Sequence, residues 1–306
     1  MSAIGFPFKQ KPQLKTVSAA SLLSMDLPER ELIMSPWLPK QGLAMIYAPR
    51  GVGKTQVSVG IACAVATGQP FLGWEVDRPR GVLFIDGEMP AKALQERLSA
   101  YLDDCDSNVP LDIITPDLQP FGIPDLASEA GQSLIDRYVA DDTELIIVDN
   151  LSTLVRSGKE NEAESWLPVQ NWALRHRSLG RTVLFIHHSG KSGQQRGTSR
   201  REDVLDTVIA LKKPEDYKAS QGARFDLYFE KARGIYGDEV IPFNAMLVSV
   251  EGRFEWQVSP LEESTYEKVI SMSNQGIQQV EIARRLRVNP STVSRYLERA
   301  RSESRL

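Results

Sequence analysis

Residues 43–67 have the sequence LAMIYAPRGVGKTQVSVGIACAVAT, and this stretch decides the fold class. Its first five residues are an apolar run that predicts a buried β-strand, and the residues from Thr55 onward predict an apolar helix. The segment between them follows the pattern G-x-x-x-x-G-K-[ST], except that Ala48 replaces the first glycine. We therefore predict a phosphate-binding loop formed by Ala48, Pro49, Arg50, Gly51, Val52, Gly53, Lys54 and Thr55.

The residue types of this loop suit a nucleoside triphosphate with Mg²⁺. Gly51 and Gly53 allow backbone N–H groups to turn inward around phosphate oxygens, because side chains there would block the approach. The Lys54 ammonium can contact the β- and γ-phosphates, and the Thr55 hydroxyl can ligate Mg²⁺. The helix that begins at Thr55 adds the positive end of its dipole. The alternative is a glycine-rich turn that matches the pattern by chance.

Apolar runs alternate with helix-compatible segments along the next part of the chain. Strands are expected at 43–47, 81–86, 111–115, 144–149 and 182–187, with helices at 55–67, 91–101, 129–139 and 165–180. Such alternation indicates an α/β fold with a mostly parallel sheet covered on both faces. The runs 204–212, 225–231 and 246–250 have no long helix between them, so we expect them to extend one edge of the sheet antiparallel.

Composition and charge limit the classes of function. The chain has 306 residues, 42% hydrophobic and 25% charged, which is typical of a soluble globular protein. A net charge of −4 excludes a protein coated in positive charge, so any nucleic-acid contact must come from local patches. The two cysteines have no disulfide or zinc spacing, and no apolar run approaches the roughly 18 residues of a membrane span. These features favour a cytoplasmic protein without a membrane partner.

Three polar side chains at strand ends are candidates for catalysis. Asp149 follows the apolar run 145–148 and is expected to join the Mg²⁺ shell, unless it only caps the following turn. Glu88 closes the run 82–88 and could polarise the attacking water. The alternatives are that Glu88 is solvated or that Asp86 takes this role. Of the adjacent His187 and His188, at most one can face the nucleotide. We favour His188 as a γ-phosphate sensor over a purely structural residue.

Taken in this order, these motifs resemble the RecA-like ATPase core, and more narrowly the RepA-type plasmid helicases and DnaB-like hexameric helicases. The resemblance is carried by residues 48–55, 85–88, 147–150, 185–191 and 231–234. It implies ATP as the nucleotide, with Lys54, Glu88 and His188 as catalytic residues. It also implies that Arg233 reaches into a neighbouring subunit's nucleotide as an arginine finger, with Lys231 as its companion. The alternative for Arg233 is a surface turn before Gly234.

The same resemblance implies a homo-oligomer, often a hexameric ring, with DNA-binding loops in its channel. The matching loops contain Arg156, and Lys191, Arg196, Arg200 and Arg201. Lys and Arg with few aromatic residues suit contact with a single-strand backbone better than base stacking, although both loops could simply be solvated. We expect an N-terminal arm at 1–37, a RecA-like ATPase domain at 38–258 and a small all-α domain at 262–306.

The last of these domains has the pattern of a helix-turn-helix. Ile282, Ala283 and Leu286 share one helical face, residues 288–290 interrupt the helix, and Ser291 is a suitable N-cap for the next one. Seven arginines against three glutamates make residues 276–306 basic. Major-groove contacts are expected from Thr292, Ser294, Arg295 and Arg299. The alternative is a protein-interaction domain whose arginine face is solvated.

These expectations lead to a leading hypothesis and two alternatives. The first is an oligomeric DNA-dependent ATPase, a replicative-type DNA helicase or motor of a plasmid, phage or mobile element. The second is a DNA-binding regulator switched by ATP, with its specificity in the helix-turn-helix. The third is a recombination-mediator ATPase that assembles on single strands without unwinding.

Overall fold

The computed structural model describes residues 15–102, 109–156, 163–189, 202–214, 217–250 and 253–303. The chain divides into two units, the first ending at Glu31 and the second beginning at Leu32. The first unit contains the short helix α1 (Ala19–Leu23), whose N-cap Ser18 accepts a hydrogen bond from the Ser21 N–H at 3.0 Å. None of the helix's residues is buried.

The second unit is an α/β fold followed by three helices. Its strands are β1 (Leu32–Met34), β2 (Leu38–Pro39), β3 (Leu43–Ala48), β4 (Gly81–Asp86), β5 (Leu111–Ile114), β6 (Thr143–Asp149), β7 (Thr182–His188), β8 (Thr207–Lys212), β9 (Arg224–Ala232), β10 (Phe243–Val250) and β11 (Arg253–Pro260). Its helices are α2 (Lys54–Thr67), α3 (Ala91–Leu102), α4 (Glu129–Asp136), α5 (Leu151–Leu154), α6 (Ala163–Ser178), α7 (Leu261–Asn274), α8 (Gln279–Leu286) and α9 (Pro290–Ser302).

One large sheet organises the described part of this unit. Its strand order is β11-β10-β9-β8-β3-β7-β6-β4-β5, with parallel pairing from β8 to β5 and antiparallel pairing from β8 to β11. The predicted α/β class with a mostly parallel sheet and antiparallel edge strands is confirmed. The strand that precedes the phosphate-binding loop, β3, lies between β7 and β8.

The expectation for the run 204–212 was wrong. It was predicted to join the sheet antiparallel, but β8 pairs parallel with β3, with Thr207 opposite Ala44. The physical reason is the length of the connection from β7, at 189–206. A parallel neighbour requires a crossover of about a dozen residues or more, and this connection is long enough to return to the start of β3. The antiparallel part begins at β9, and β11 was not predicted.

Each face of the sheet covers its own apolar core. Ala44, Ile46 and Ala48 of β3 point into the first core together with α2, while the alternate residues of β3 point into the second core together with α5 and α6. A strand buried on both faces is continuously apolar, which explains the sequence of residues 43–48. Ile33, Met34 and Trp37 also pack in the first core, so the folded body begins a few residues before position 38.

The C-terminal helices α7, α8 and α9 pack around a third core that contains Tyr266, Ile282 and Val293. Residues 287–289 join α8 to α9. The expected N-cap was wrong, because α9 begins at Pro290 and is capped by Asn289, whose Oδ1 accepts from the Ser291 N–H at 3.1 Å. Asparagine is a strong N-cap, and proline suits the first helical position because its missing N–H needs no partner there.

Across the described ranges, no helix has both the length and the apolar character needed to cross a membrane.

Replacing Asn289 by Ala is expected to lower the free energy of unfolding of the C-terminal helices by about 1 kcal/mol, because the first turn of α9 loses its cap. Urea unfolding followed by circular dichroism measures this change. Ser291→Ala is the matched control and should cost less, since the bond that the Ser291 hydroxyl makes to the described residues goes to the Asn289 side chain rather than to a backbone N–H of α9. A larger loss for Ser291→Ala would make Ser291 the cap.

Candidate nucleotide-binding site

The predicted loop connects the end of β3 at Ala48 to the start of α2 at Lys54. Gly51 (φ 74°) and Gly53 (φ 108°) have left-handed backbone conformations that favour glycine. A Cβ at Gly53 would also lie 2.8 Å from the Ala223 Cβ, so the chain passes too closely there for a side chain. Helix α2 starts without a side-chain cap, which leaves its first N–H groups as donors for an anion.

A cleft of about 390 Å³ opens at this loop. It is lined by the predicted residues Arg50, Gly51, Gly53, Lys54, Thr55, Glu88, Asp149 and His188. The parallel register explains the assembly, because Ala48 lies opposite His188 and Asp86 lies opposite Asp149 at the carboxyl ends of their strands. The structure thus brings together, at one sheet edge, residues that are far apart in the sequence.

Lys54 is buried at the end of the loop, where α2 begins. Its Nζ donates to the carbonyl oxygens of Pro49 at 3.0 Å and Ala48 at 3.2 Å. Burial lowers the pKa of Lys54 to about 8, and the carboxylates of Asp149 and Glu88 act in the opposite direction. The ammonium form therefore still predominates at pH 7.

Asp149 is a buried carboxylate of the cleft. Its Oδ2 accepts a hydrogen bond of 2.6 Å from the Ser58 hydroxyl on α2. Burial raises the pKa of Asp149 to about 6, although the bond from Ser58 favours the charged form. Sequence reasoning missed Ser58. The spacing from Thr55 to Ser58 puts both residues on one helical face, which is the signal that could have identified it.

The two carboxylates at the end of β4 have different surroundings. Asp86 is buried and accepts from the N–H groups of Glu88 and Met89, both at 3.1 Å, and from the Thr115 hydroxyl at 3.1 Å. These bonds hold the turn after β4, while burial raises the pKa of Asp86. The Glu88 side chain is 57% exposed and lines the cleft. Its position suits an attacking water better than that of Asp86.

Asn150 and His188 flank Glu88. The Asn150 Nδ2 donates to Glu88 Oε2 at 2.6 Å, and His188 Nε2 lies 3.7 Å from the same oxygen. Burial and the nearby Lys54 ammonium lower the pKa of His188, so its imidazole is neutral at pH 7. His188 lines the cleft and His187 does not. The sequence alone does not indicate this role of Asn150, because its bond to Glu88 depends on the pairing of β4 with β6.

Arg97 is another lining residue that sequence reasoning missed. It lies on α3, and its Nη1 is 2.7 Å from the Met89 Sδ. An arginine within a helix carries no sequence signal of its own. Its position in the cleft follows from the packing of α3 against α2, the helix that begins at the phosphate-binding loop.

Lys231 and Arg233 do not lie in this cleft. Ala232 pairs with Thr207, which in turn pairs with Ala44 at the start of β3. Lys231 and Arg233 therefore lie near the amino ends of the parallel strands, whereas the phosphate-binding loop lies at the carboxyl ends. There the Arg233 Nη2 donates to the Asp203 carbonyl at 2.7 Å, and the Lys231 Nζ donates to the Glu202 carbonyl. A role of either residue in a neighbouring subunit stays a prediction.

Only some of the residues predicted to bind DNA lie within the described part of the chain. Lys191, Arg196, Arg200 and Arg201 lie outside the described residues. Arg156 is exposed, and its guanidinium donates to the Ile123 carbonyl. On α9, Arg295 and Arg299 are exposed, while Thr292 and Ser294 are half-buried. Arg299 also pairs with Glu303, with 2.8 Å between Nε and Oε1.

The donors in the cleft fit a nucleotide-bound Mg²⁺. Among the described residues there is no group of three or more His, Cys, Asp and Glu that could hold a metal ion. Mg²⁺ on a nucleotide does not need one, since it keeps several waters and takes ligands from the phosphates. The Thr55 hydroxyl and the buried Asp149 carboxylate are the protein oxygens suited to its shell.

Comparison with known proteins gives the family and the fold of the chain. A family described as "AAA domain" matches residues 9–194, which is more than half of the chain. The chain belongs to the AAA domain family. Among solved structures it is similar to a KaiC-like protein from the hyperthermophilic archaeon Pyrococcus horikoshii OT3. The two are 14% identical with a TM-score of 0.50, over 72% of this chain and 91% of that one, which shows a shared fold. A search of curated proteins found no match.

This AAA-domain protein is therefore a RecA-like P-loop ATPase. The hydroxyl of Ser58 provides a test of its cleft. Ser58→Ala removes a donor to the charged form of Asp149, so the pKa of that carboxyl should rise further above about 6. The acidic limb of Mg²⁺-dependent ATP hydrolysis should then move to higher pH, as measured by a pH–rate profile.

The matched control is Thr67→Ala, which removes a hydroxyl that donates to the Cys63 carbonyl at the far end of the same helix. Its acidic limb should coincide with that of the unmodified protein. An unchanged limb in Ser58→Ala would show that Asp149 does not take part in the Mg²⁺-dependent step.

Proposed function

We propose that this AAA-domain ATPase is an oligomeric, DNA-dependent ATPase, a replicative-type helicase or motor of a plasmid, phage or mobile element. One observation carries the proposal. The cleft is lined by Lys54, Glu88, Asp149 and His188. Lys231 and Arg233 lie instead near the amino ends of the parallel strands. A cation that cannot serve its own cleft is suited to the cleft of a neighbouring copy.

Each residue of the cleft has a chemical task in this proposal. The loop N–H groups and Lys54 bind and orient the phosphates of ATP. Glu88, held by Asn150, orients the attacking water and accepts its proton at a carboxylate oxygen. Neutral His188 can hydrogen-bond near the γ-phosphate without adding charge. Mg²⁺, when bound at Thr55 and Asp149, supplies positive charge against the phosphate oxygens.

Lys231 and Arg233 complete the site in trans. Both side chains are held by backbone carbonyls of residues 202 and 203, and the structure gives neither a carboxylate ion pair within the described residues. The carboxylates of Asp203, Glu202 and Asp206 act electrostatically on Lys231. Neither cation is in a direct ion pair with a described residue, so both can attract an anion from outside the subunit. Arginine supplied by a neighbour stabilises transition-state charge and makes hydrolysis depend on subunit contacts.

Contact with DNA is supported by the C-terminal helices. Arg295 is exposed on α9, and its guanidinium lies 5.3 Å from the Tyr296 ring centroid without a carboxylate partner among the described residues. On α8, by contrast, Arg284 and Arg285 both pair with Glu281. The cationic surface best suited to a DNA groove is therefore on α9.

A second function is favoured by one feature of the chain. Helix α7 begins at Leu261, directly after β11 ends at Pro260, and it contacts β10 and β11. The C-terminal helices are thus continuous with the sheet that carries the nucleotide cleft. An ATP-switched DNA-binding regulator would use such a connection to pass the state of the cleft to α9.

The proposed motor is tested by ATP turnover with and without single-stranded DNA, followed by strand displacement on a forked duplex. We expect stimulation by single strands and displacement of the annealed strand. A rate of ATP turnover that does not change when DNA is added would contradict the motor function and favour the ATP-switched regulator. Stimulation without displacement would favour a recombination-mediator ATPase.

Arg233→Ala should abolish ATP turnover, with a loss of about 10³-fold, and leave ATP affinity nearly unchanged. The arginine is expected to contact the transferred phosphoryl group of the neighbour rather than to anchor the nucleotide. Turnover and equilibrium binding of a fluorescent ATP analogue measure the two effects. Arg137 is an exposed arginine of the same unit, and Arg137→Ala is the control that should change neither ATP turnover nor ATP affinity. Surviving turnover in Arg233→Ala would exclude the trans role.

Arg295→Ala should weaken binding to duplex DNA and reduce the slope of log affinity against log salt by about 1, because one phosphate contact is lost. Fluorescence anisotropy over a salt series gives both quantities. Arg137→Ala again serves as the control for loss of one positive charge. Equal effects of the two variants would mean that the arginine face of α9 is only solvated.

A further inference from the structure

The hydroxyl of Tyr47 joins two strands that are not neighbours. Tyr47 is the residue of β3 immediately before Ala48, where the phosphate-binding loop begins, and its side chain is buried. The hydroxyl donates to Glu230 Oε2 on β9, although β8 lies between the two strands. Ala210 of β8 pairs with Tyr47, and its small side chain leaves room for the ring to cross.

Glu230 lies at an irregularity in β9. Phe229 pairs with Ile209 and Lys231 pairs with Val208, so Glu230 is an additional residue between successive positions of β8. Such a bulge redirects the side chains that follow it. Directly opposite residues share a face of the sheet, so Lys231 faces the same side as Val208. Val208 and Tyr47 both point into the second core. Because Glu230 bonds to Tyr47 and Lys231 lies opposite Val208, Glu230 and Lys231 face the same side of the sheet although they are adjacent in sequence.

Both oxygens of the Glu230 carboxylate are held. Oε2 accepts from Tyr47, and Oε1 lies 3.3 Å from the Lys212 Nζ. The Lys212 ammonium in turn lies 4.6 Å from the centroid of the Tyr228 ring. Burial raises the pKa of Tyr47, so its hydroxyl keeps the proton that it donates. The Glu230 carboxylate therefore links β3 to the bulge in β9.

A second set of bonds ties the start of β3 to Arg233. The Leu43 N–H donates to Asp206 Oδ2 at 2.9 Å, and the Asp206 N–H donates to the Leu43 carbonyl at 2.7 Å. The Arg233 N–H donates to the Asp206 carbonyl at 3.0 Å. Residues 231–233 are thus attached to β3 through Asp206 at its start and through Tyr47 near its end.

We propose that Glu230 is a positioning residue that, through Tyr47, aligns Lys231 and Arg233 with the strand carrying the phosphate-binding loop. A subunit then presents these cations to its neighbour in a geometry set by its own β3. The inference rests on the proposed trans role of Arg233. Tyr47 and Glu230 are not among the residues that line the cleft.

The experiment mixes two chains that are each expected to be inactive alone. Glu88→Gln retains Lys231 and Arg233 but lacks the proposed water-activating carboxylate, and Arg233→Ala retains an intact cleft. Mixed assemblies should hydrolyse ATP wherever the first chain presents its arginine to the second. Tyr47→Phe is then introduced either into the Glu88→Gln chain, which supplies the arginine, or into the Arg233→Ala chain, which supplies the cleft.

Tyr47→Phe in the arginine-supplying chain should lower the restored kcat about tenfold, because misplaced groups lose transition-state contact while nucleotide binding persists. The KM for ATP should not change. The same substitution in the cleft-supplying chain should leave kcat within about twofold, since that chain's bulge presents no arginine. Glu230→Gln should show the same asymmetry, and it serves as an independent variant if Tyr47→Phe does not fold.

Tyr228→Phe in the arginine-supplying chain is the matched control, because it removes a hydroxyl from the same strand but keeps the ring beside Lys212. It should not lower kcat. Equal losses from both chains would show that Tyr47 only stabilises the loop strand, and no loss from the arginine-supplying chain would show that the contact positions nothing. Either result overturns the inference. If the two parent chains fail to complement each other, the trans role itself is excluded.

Discussion

The parallel pairing of β4, β6, β7 and β3 is the constraint on which the rest of this structure depends. Parallel strands have their carboxyl ends at one edge of a sheet, so Asp86, Asp149, His188 and the phosphate-binding loop meet there. Such pairing requires crossover connections, and the helices within them bury both faces of the sheet. The apolar strands, the two cores and the position of the cleft therefore have one common cause.

Burial makes the charges of the cleft depend on one another. Removing Lys54 and Asp149 from water disfavours the charged form of both, which lowers the pKa of the first to about 8 and raises that of the second to about 6. Both groups are predominantly charged only between these two values. The Lys54 ammonium and the Asp149 carboxylate are therefore both charged in a pH window around neutrality. The hydrogen bond from Ser58 favours the charged form of Asp149 and so extends this window on its acidic side.

Asp86 and Glu88 are neighbouring carboxylates with different surroundings. The oxygens of Asp86 accept backbone N–H groups and the Thr115 hydroxyl, so this carboxylate stabilises the turn. Glu88, two residues later, is directed into the cleft and held by Asn150. A pattern of two acidic residues after a strand could not separate these roles. The separation depends on which carboxylate points into the turn and which points into the cleft.

The sequence by itself determined the phosphate-binding loop, the α/β class and the five parallel strands from β3 to β7. These follow from local chemistry, since glycines, strand-length apolar runs and helix-compatible segments act over a few residues. The tertiary structure decided that β8 pairs parallel, that Arg97 joins the cleft, and that Lys231 and Arg233 lie at the amino ends of the parallel strands, away from the phosphate-binding loop. Each of these depends on which strands become neighbours and in what register. Such long-range pairing is set by the packing of the whole sheet and leaves no signal within a short stretch of sequence.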